Sequence, residues 1–243
     1  MIEKKLLAEK MKSLVDLVSM LRGPGGCPWD ARQDDSSIKK YLLEEAYEVA
    51  DAIERGKTKE ICLELGDLLF QILFLADLAA ERGEFNLIDV IEGVTAKMIR
   101  RHPHVFGSES VSGAEEVVTN WDRIKLAEKN GKGDHKSILS DVPPGLPALL
   151  RAHTLQQRAE RQLGRPTDEV GCWGHVREAF SRLEDAVKAS DGDGPVEGPV
   201  GDLLFAVSAL CRGFGYNAEE ILQNTNRRFV DDFEMQSTSG DMC

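Results

Sequence analysis

The chain has 243 residues, 42% of them hydrophobic and 30% charged, enough apolar content for one large or two small globular cores. Its formal net charge of −12 excludes nucleic acid as the main partner, because a phosphate backbone wants a basic surface; a single nucleotide is not excluded, since a bound cation and a few local basic side chains reverse the sign within one pocket. Five scattered cysteines without a CxxC pair point to reduced thiols rather than zinc or disulfides, and no segment reads as a signal peptide or a membrane span, so the expectation is a cytoplasmic protein that makes no membrane contact.

In chain order, nearly every periodic stretch has a helical period and no convincing strand emerges, so the predicted class is all-α. A first helix is expected from about Glu3 to Arg22, stopping at GPGG, and a loop with Cys27, Pro28, Trp29 and Asp30 follows. Two acidic helices come next, YLLEEAYEVADAI and ICLELGDLLFQIL, the second continuing through LADLAAERG. Gly56 falls between them and permits the turn of an antiparallel hairpin. A further helix is predicted over about Leu87–Arg101, ended by His102 and Pro103, and another near Trp121–Lys129. The Gly/Pro-rich passage NGKGDHKS to SDVPPGLP reads as a domain boundary, giving domains at 1–140 and 141–243.

The acids are the most informative feature. At 3.6 residues per turn Glu45 and Glu48 share one helix face, as do Glu64 and Asp67 on the next helix. Folding the hairpin brings all four together, although Leu63, Leu65, Leu68, Leu69 and Phe70 interleave the second pair. Charges in so apolar a run are rarely tolerated without a partner or a metal. Carboxylates gathered without a cation repel and raise each other's pKa, and a hard divalent ion with oxygen ligands, Mg²⁺ above all, removes that cost.

The second half repeats the scaffold. GDLLFQILFLADL at 66–78 returns as GDLLFAVSALCRG at 201–213, and CPWDARQ is echoed in GCWGHVREAF, which places Trp29 and Trp173 in matching loops. Asp202 then matches Asp67, but Pro199 replaces Glu64, and Pro199 sits poorly in a helix interior. Along the preceding helix Glu178 matches Glu44, Ala179 matches Glu45 and Arg182 matches Glu48. Three of four proposed ligands are gone while the apolar pattern survives. Paired helical hairpins that cannot bury their faces alone give four-helix-bundle-type modules, within one chain or between chains. DGDGPVEGP reads as a loop, and the polar tail QSTSGDMC as disordered.

Nearly the full chain resembles the MazG nucleoside triphosphate pyrophosphohydrolases, as a tandem two-domain member. The resemblance rests on LRGPGGCPWDARQ, YLLEEAYEVADAI, ELGDLLFQILF, KMIRRHPHVFG, NWDRIKLAEK and the linker SDVPPGLPALLRAHTLQQRA. It implies an all-α fold, usually a dimer, converting a nucleoside triphosphate to the monophosphate and pyrophosphate, a nucleotide-pool house-cleaning activity. On that resemblance Glu45, Glu48, Glu64 and Asp67 are Mg²⁺ ligands, with Mn²⁺ as a substitute, and Glu44 orients or deprotonates the attacking water. Lys97, Arg100 and Arg101 bind phosphate, although cations also suit a helix C-terminus, and Trp121 flanks the base or serves as a packing anchor. Many relatives have Thr-His after CPWDxxQ; here Asp34 and Asp35 stand there, so no role is carried over to that loop. In the second half Arg228 matches Lys97, but Asp231 and Asp232 replace Arg100 and Arg101, which makes that half scaffold or regulatory.

Competing readings are weaker. A di-iron oxidoreductase bundle needs Glu-x-x-His pairs, and none occurs near these acids. GPGGC lacks the GK[ST] of a phosphate-binding loop, and His102 and His104 flank Pro103 as a helix-ending loop. A non-catalytic helical adaptor with an acidic surface patch is the remaining alternative.

Overall fold

The computed structural model describes residues 3–130, 138–164, 169–189 and 195–240, and every regular element among them is helical. Contacts divide the chain into two compact units, Met1–Ile124 and Lys125–Cys243. That division falls inside a helix, Ala114–Asn130, upstream of the Gly/Pro-rich passage, whose residues 131–137 lie outside the described ones.

The first unit is built around its third helix. Helix α1 (Lys4–Arg22), α2 (Asp35–Glu54) and α4 (Leu87–Arg101) all pack on α3 (Thr58–Glu81), and α2 on α3 is the most extensive pairing. The hairpin closes at Gly56, whose φ of +65° lies in the left-handed region that a side chain disfavours. Asp34 starts α2 by accepting from Ser37 N at 2.8 Å, while Ser37 Oγ accepts from Asp34 N at 2.9 Å. This reciprocal cap satisfies two of the helix's orphan donors and holds the Asp34 carboxyl below its usual pKa, chiefly through the Ser37 backbone hydrogen bond. Asp35 meets Arg82 at 3.1 Å. The two acids after CPWDARQ thus begin a helix and tie it to the end of α3. Asn86 caps α4 in the same way, with Asp89.

Val18, Ile38, Leu73, Phe74 and Leu78 form the buried core where α1, α2 and α3 meet. A clamp closes it at one end. The Arg22 side chain, only 6% exposed, donates to both Glu81 oxygens at 2.8 and 2.6 Å and to the carbonyl of Asp30 at 2.6 Å. Its guanidinium lies 5.1 Å from the Phe74 ring centroid. One side chain therefore joins α1, α3 and the loop between α1 and α2. Beyond α4 come the short α5 (Pro103–Phe106) and α6 (Ala114–Asn130).

In the second unit α7 (Ala148–Leu163) and α8 (Glu169–Ala189) pack on α9 (Glu197–Gly213), and α10 (Ala218–Gly240) packs on α7 and α9. Gln156 Nε2 donates to the Phe205 carbonyl at 2.8 Å, and Glu160 forms a bidentate pair with Arg212, tying α7 to α9 at two points. Each unit is thus built on four packed helices, in keeping with the all-α class.

Four local expectations are revised. GCWG lies within α8, so Trp173 is helical, whereas Trp29 sits in the loop and meets the Tyr41 ring edge-on at 5.8 Å. Pro199 is the third residue of α9, in the first turn, where a helix has no carbonyl partner for its backbone nitrogen and proline is tolerated. PALLRAHTLQQRA is not a linker; it supplies most of α7. Of the polar tail, QSTSG continues α10, and DMC lies outside the described residues.

Candidate metal centre

The α2–α3 hairpin brings Glu45, Glu48 and Glu64 together, with one oxygen from each within 4.8 Å of the others. Glu45 and Glu48 come from adjacent turns of α2, and Glu64 faces them from α3. Asp67, one turn along α3, stands outside that tight group but acts on it through its charge. Partial burial first, then Asp67, Glu48, Glu64 and Glu44 in turn, push Glu45 above the ordinary carboxylate range. Glu64 is raised by partial burial, then by the charges of Glu48 and Asp67 and a hydrogen bond with Glu48. All five sequence-predicted acids therefore belong to one electrostatic cluster.

Glu44, Glu48 and Glu64 also line an open groove of about 660 Å³ together with Tyr47, Asp51 and Arg55. Arg55 was not foreseen from the sequence, where ERGK read only as the turn around Gly56. Its guanidinium holds Asp51 at 2.5 Å and Glu60 at 3.4 Å, placing a fixed cation at the rim of an otherwise anionic groove. Tyr47, one residue before Glu48 on α2, carries no motif of its own in the sequence.

An all-oxygen set of three converging carboxylates, two of them with raised pKa, fits a hard divalent cation of the Mg²⁺ type. The second unit shows what happens when the acids are not kept. There Arg182 donates to Glu178 at 2.8 Å and reaches Asp202 at 3.6 Å, so a guanidinium sits between the surviving carboxylates.

The expected phosphate-binding side chains lie at the end of α4. Lys97 and Arg101 are half-buried and Arg100 is exposed. Arg101 stacks over Trp121 of α6 at 5.5 Å, and His102 meets the same indole edge-on at 4.9 Å. Structure therefore joins Arg101 and Trp121 into one assembly, in which the indole packs inside the first unit.

Comparison with known proteins now bears on this site. The model of the MazG nucleotide pyrophosphohydrolase domain matches residues 33–106, a span holding all five acids and the cations of α4. The nucleoside triphosphate pyrophosphohydrolase of Escherichia coli (strain K12) is 40% identical over 223 residues, covering 89% of this chain and 82% of that protein. This chain belongs to the MazG family. A second MazG relative, the nucleoside triphosphate pyrophosphohydrolase/pyrophosphatase of Thermotoga maritima, is 35% identical over 92% of this chain and 84% of its own length. The uncharacterized protein YabN of Bacillus subtilis is 38% identical over 93% of this chain, which spans 46% of YabN. No helix among the described residues of this MazG-family chain is long and apolar enough to cross a membrane.

Proposed function

We propose that this chain is a Mg²⁺-dependent nucleoside triphosphate pyrophosphohydrolase, with Mn²⁺ as a substitute, releasing pyrophosphate and a nucleoside monophosphate. The observation that carries this reading is the convergence of Glu45, Glu48 and Glu64 within 4.8 Å inside the segment that matches the family. The names of its full-length relatives supply the reaction class.

In this reading Glu45, Glu48, Glu64 and Asp67 hold the ion, which when bound polarises phosphate oxygens and acidifies water. Glu44, exposed on the groove, orients a water and accepts its proton as the oxygen attacks the α-phosphorus. The bond from that phosphorus to the bridging oxygen breaks, and pyrophosphate leaves. Lys97, Arg100 and Arg101 bind the departing charge, and Trp121 flanks the base. Raised pKa values at Glu45 and Glu64 also keep the site closed to metal at low pH, since a protonated carboxyl is a poor ligand.

The reading includes a homodimer and a house-cleaning role in the nucleotide pool. Support for the dimer is the large apolar side chains that one chain leaves exposed on the hairpin helices. Ile53 is 57% and Leu63 66% exposed, and Leu43, Leu65 and Ile72 add to the same two helices. The test is pyrophosphate release by Glu48→Ala and Asp67→Ala, with circular dichroism as a folding check. Activity should be lost with the helical spectrum unchanged; near wild-type turnover in either variant would refute the ligand assignment.

A further inference from the structure

The second unit contains an open-sided cavity of about 600 Å³ between α7, α8 and α9, within the range of small-molecule sites. Its origin is visible in the repeat. Setting GDLLF on GDLLF places Ala209 where the first unit has Phe74 and Gly213 where it has Leu78. Along the preceding helix Cys172 stands where Ile38 stands. Three large core side chains of the first unit thus have small counterparts, and both Cys172 and Ala209 line the cavity.

Charge at the walls restricts what can enter. Arg212 and Glu160 border one end as a bidentate pair, and Arg182, Glu178 and Asp202 border the other as a bridged triplet. Each arginine is already matched by carboxylate, so a polyanion finds no net positive field. The wall between is mostly apolar, made by residues such as Phe205, Ala206 and Ala179, with Gln156 and His175 as its polar members. In the first unit an arginine at the core edge lies over the Phe74 ring; here an arginine borders a space from which the ring has been removed.

We propose that the second unit is a binding site for an uncharged, planar aromatic molecule, whose ring takes the place that Phe74 fills in the first unit. Two sources share that chemistry, a nucleoside and a non-nucleotide aromatic, and the probes separate them. The site needs no metal and does not depend on the catalytic reading of the first unit.

Adenosine and indole are titrated separately into the full chain by calorimetry and by ligand-observed NMR, with ATP in EDTA as a charged comparison. One of the two neutral probes is expected to bind saturably at one site per chain, and at least tenfold more tightly than ATP. Ala209→Phe, which restores the ring, is expected to weaken that binding by at least tenfold while raising the thermal midpoint and leaving pyrophosphate release unchanged. Should Ala209→Phe not fold, Ala206→Leu narrows the same cavity and carries the test. Glu48→Ala is expected to bind the probe like wild type, which keeps failure of this site distinct from failure of the catalytic one. The proposal is overturned if neither neutral probe saturates, if ATP binds as tightly, or if a folded cavity-filling variant binds unchanged. It is equally overturned if filling the cavity alters the mass in light scattering, because the occupant is then a second copy of the chain.

Discussion

The two units solve the same packing problem with opposite charges. In the first, Arg22 of α1 pairs with Glu81 of α3 and lies 4.0 Å from Asp77. In the second, Glu160 of α7 pairs with Arg212 of α9, and Arg212 occupies the position matching Asp77. The interhelical ion pair is kept and its sign reversed, so α1 would meet like charge on α9, and α7 on α3. Such a reversal discourages the wrong helix from docking as the tandem copies fold. The acidic cluster follows a related logic. Where Glu45, Glu48 and Glu64 converge, their mutual repulsion remains in the folded state for a cation to relieve; where Arg182 replaces the matching acid, the protein supplies its own cation. A scaffold retained without its acids argues that the acids serve something other than folding.

Breaking the chemical half of this comparison gives the largest effect. Glu48→Ala should lower Mg²⁺-dependent pyrophosphate release by at least about 100-fold, beyond the 10–100-fold that loss of a metal ligand's supporting hydrogen bond costs. Arg182→Ala, at the matching position, should leave that rate within about twofold if the proposed site in the first unit carries the reaction. A steady-state pyrophosphate assay of both variants checks the pair. Equal losses would mean that both units hold metal.

Next in size are the cores. Phe74→Ala removes a fully buried ring and should cost about 3–5 kcal/mol, the range for truncating a large aromatic core residue. Glu160→Gln leaves the nearly buried Arg212 without its charge partner and should cost about 1–3 kcal/mol. Urea unfolding followed by circular dichroism measures both, and the reverse order would mean that the second core depends more on its ion pair than the first does on its ring.

The smallest effect has an unusual sign. Glu45 has a folded-state pKa above its ordinary value, so the folded state holds more protons than the unfolded one between the two. Metal-free stability should therefore fall as pH rises from the ordinary carboxylate range through the raised pKa. Glu45→Gln removes part of that fall and should raise the thermal midpoint at pH 7 in EDTA by roughly 1–3 °C, while reducing the gain that Mg²⁺ gives the wild type. Scanning calorimetry with and without Mg²⁺ reads both signs at once; a lower midpoint in EDTA would mean that Glu45 stabilises the hairpin by itself.

Much of this was legible in the residues. Helical spacing placed Glu45 with Glu48 and Glu64 with Asp67, and Gly56 marked the turn that brings Glu45, Glu48 and Glu64 together. Predicted and observed bounds coincide for α4 and differ by one residue at the start of α1, because charge and apolar residues alternate clearly there. Two of the misreadings share a cause: punctuation residues were judged without their place in the helix. Pro199 looked disruptive because a first-turn position was not visible, and PPGLP hid the start of α7 directly after it. The pairing of Arg55 with Asp51 and Glu60 and the cavity beside Ala209 were not legible at all, because both arise from side chains that meet only after the helices pack.

The central claim is that one divalent ion site per chain lies in the first unit and acts on a triphosphate. Calorimetric titration of Mg²⁺ into the protein, with a non-hydrolysable nucleoside triphosphate analogue present, tests it most directly. The account predicts saturable binding that is lost in Glu48→Ala and in Asp67→Ala and retained in Asp202→Ala. Binding that survives in Glu48→Ala, or that vanishes in Asp202→Ala, would contradict it.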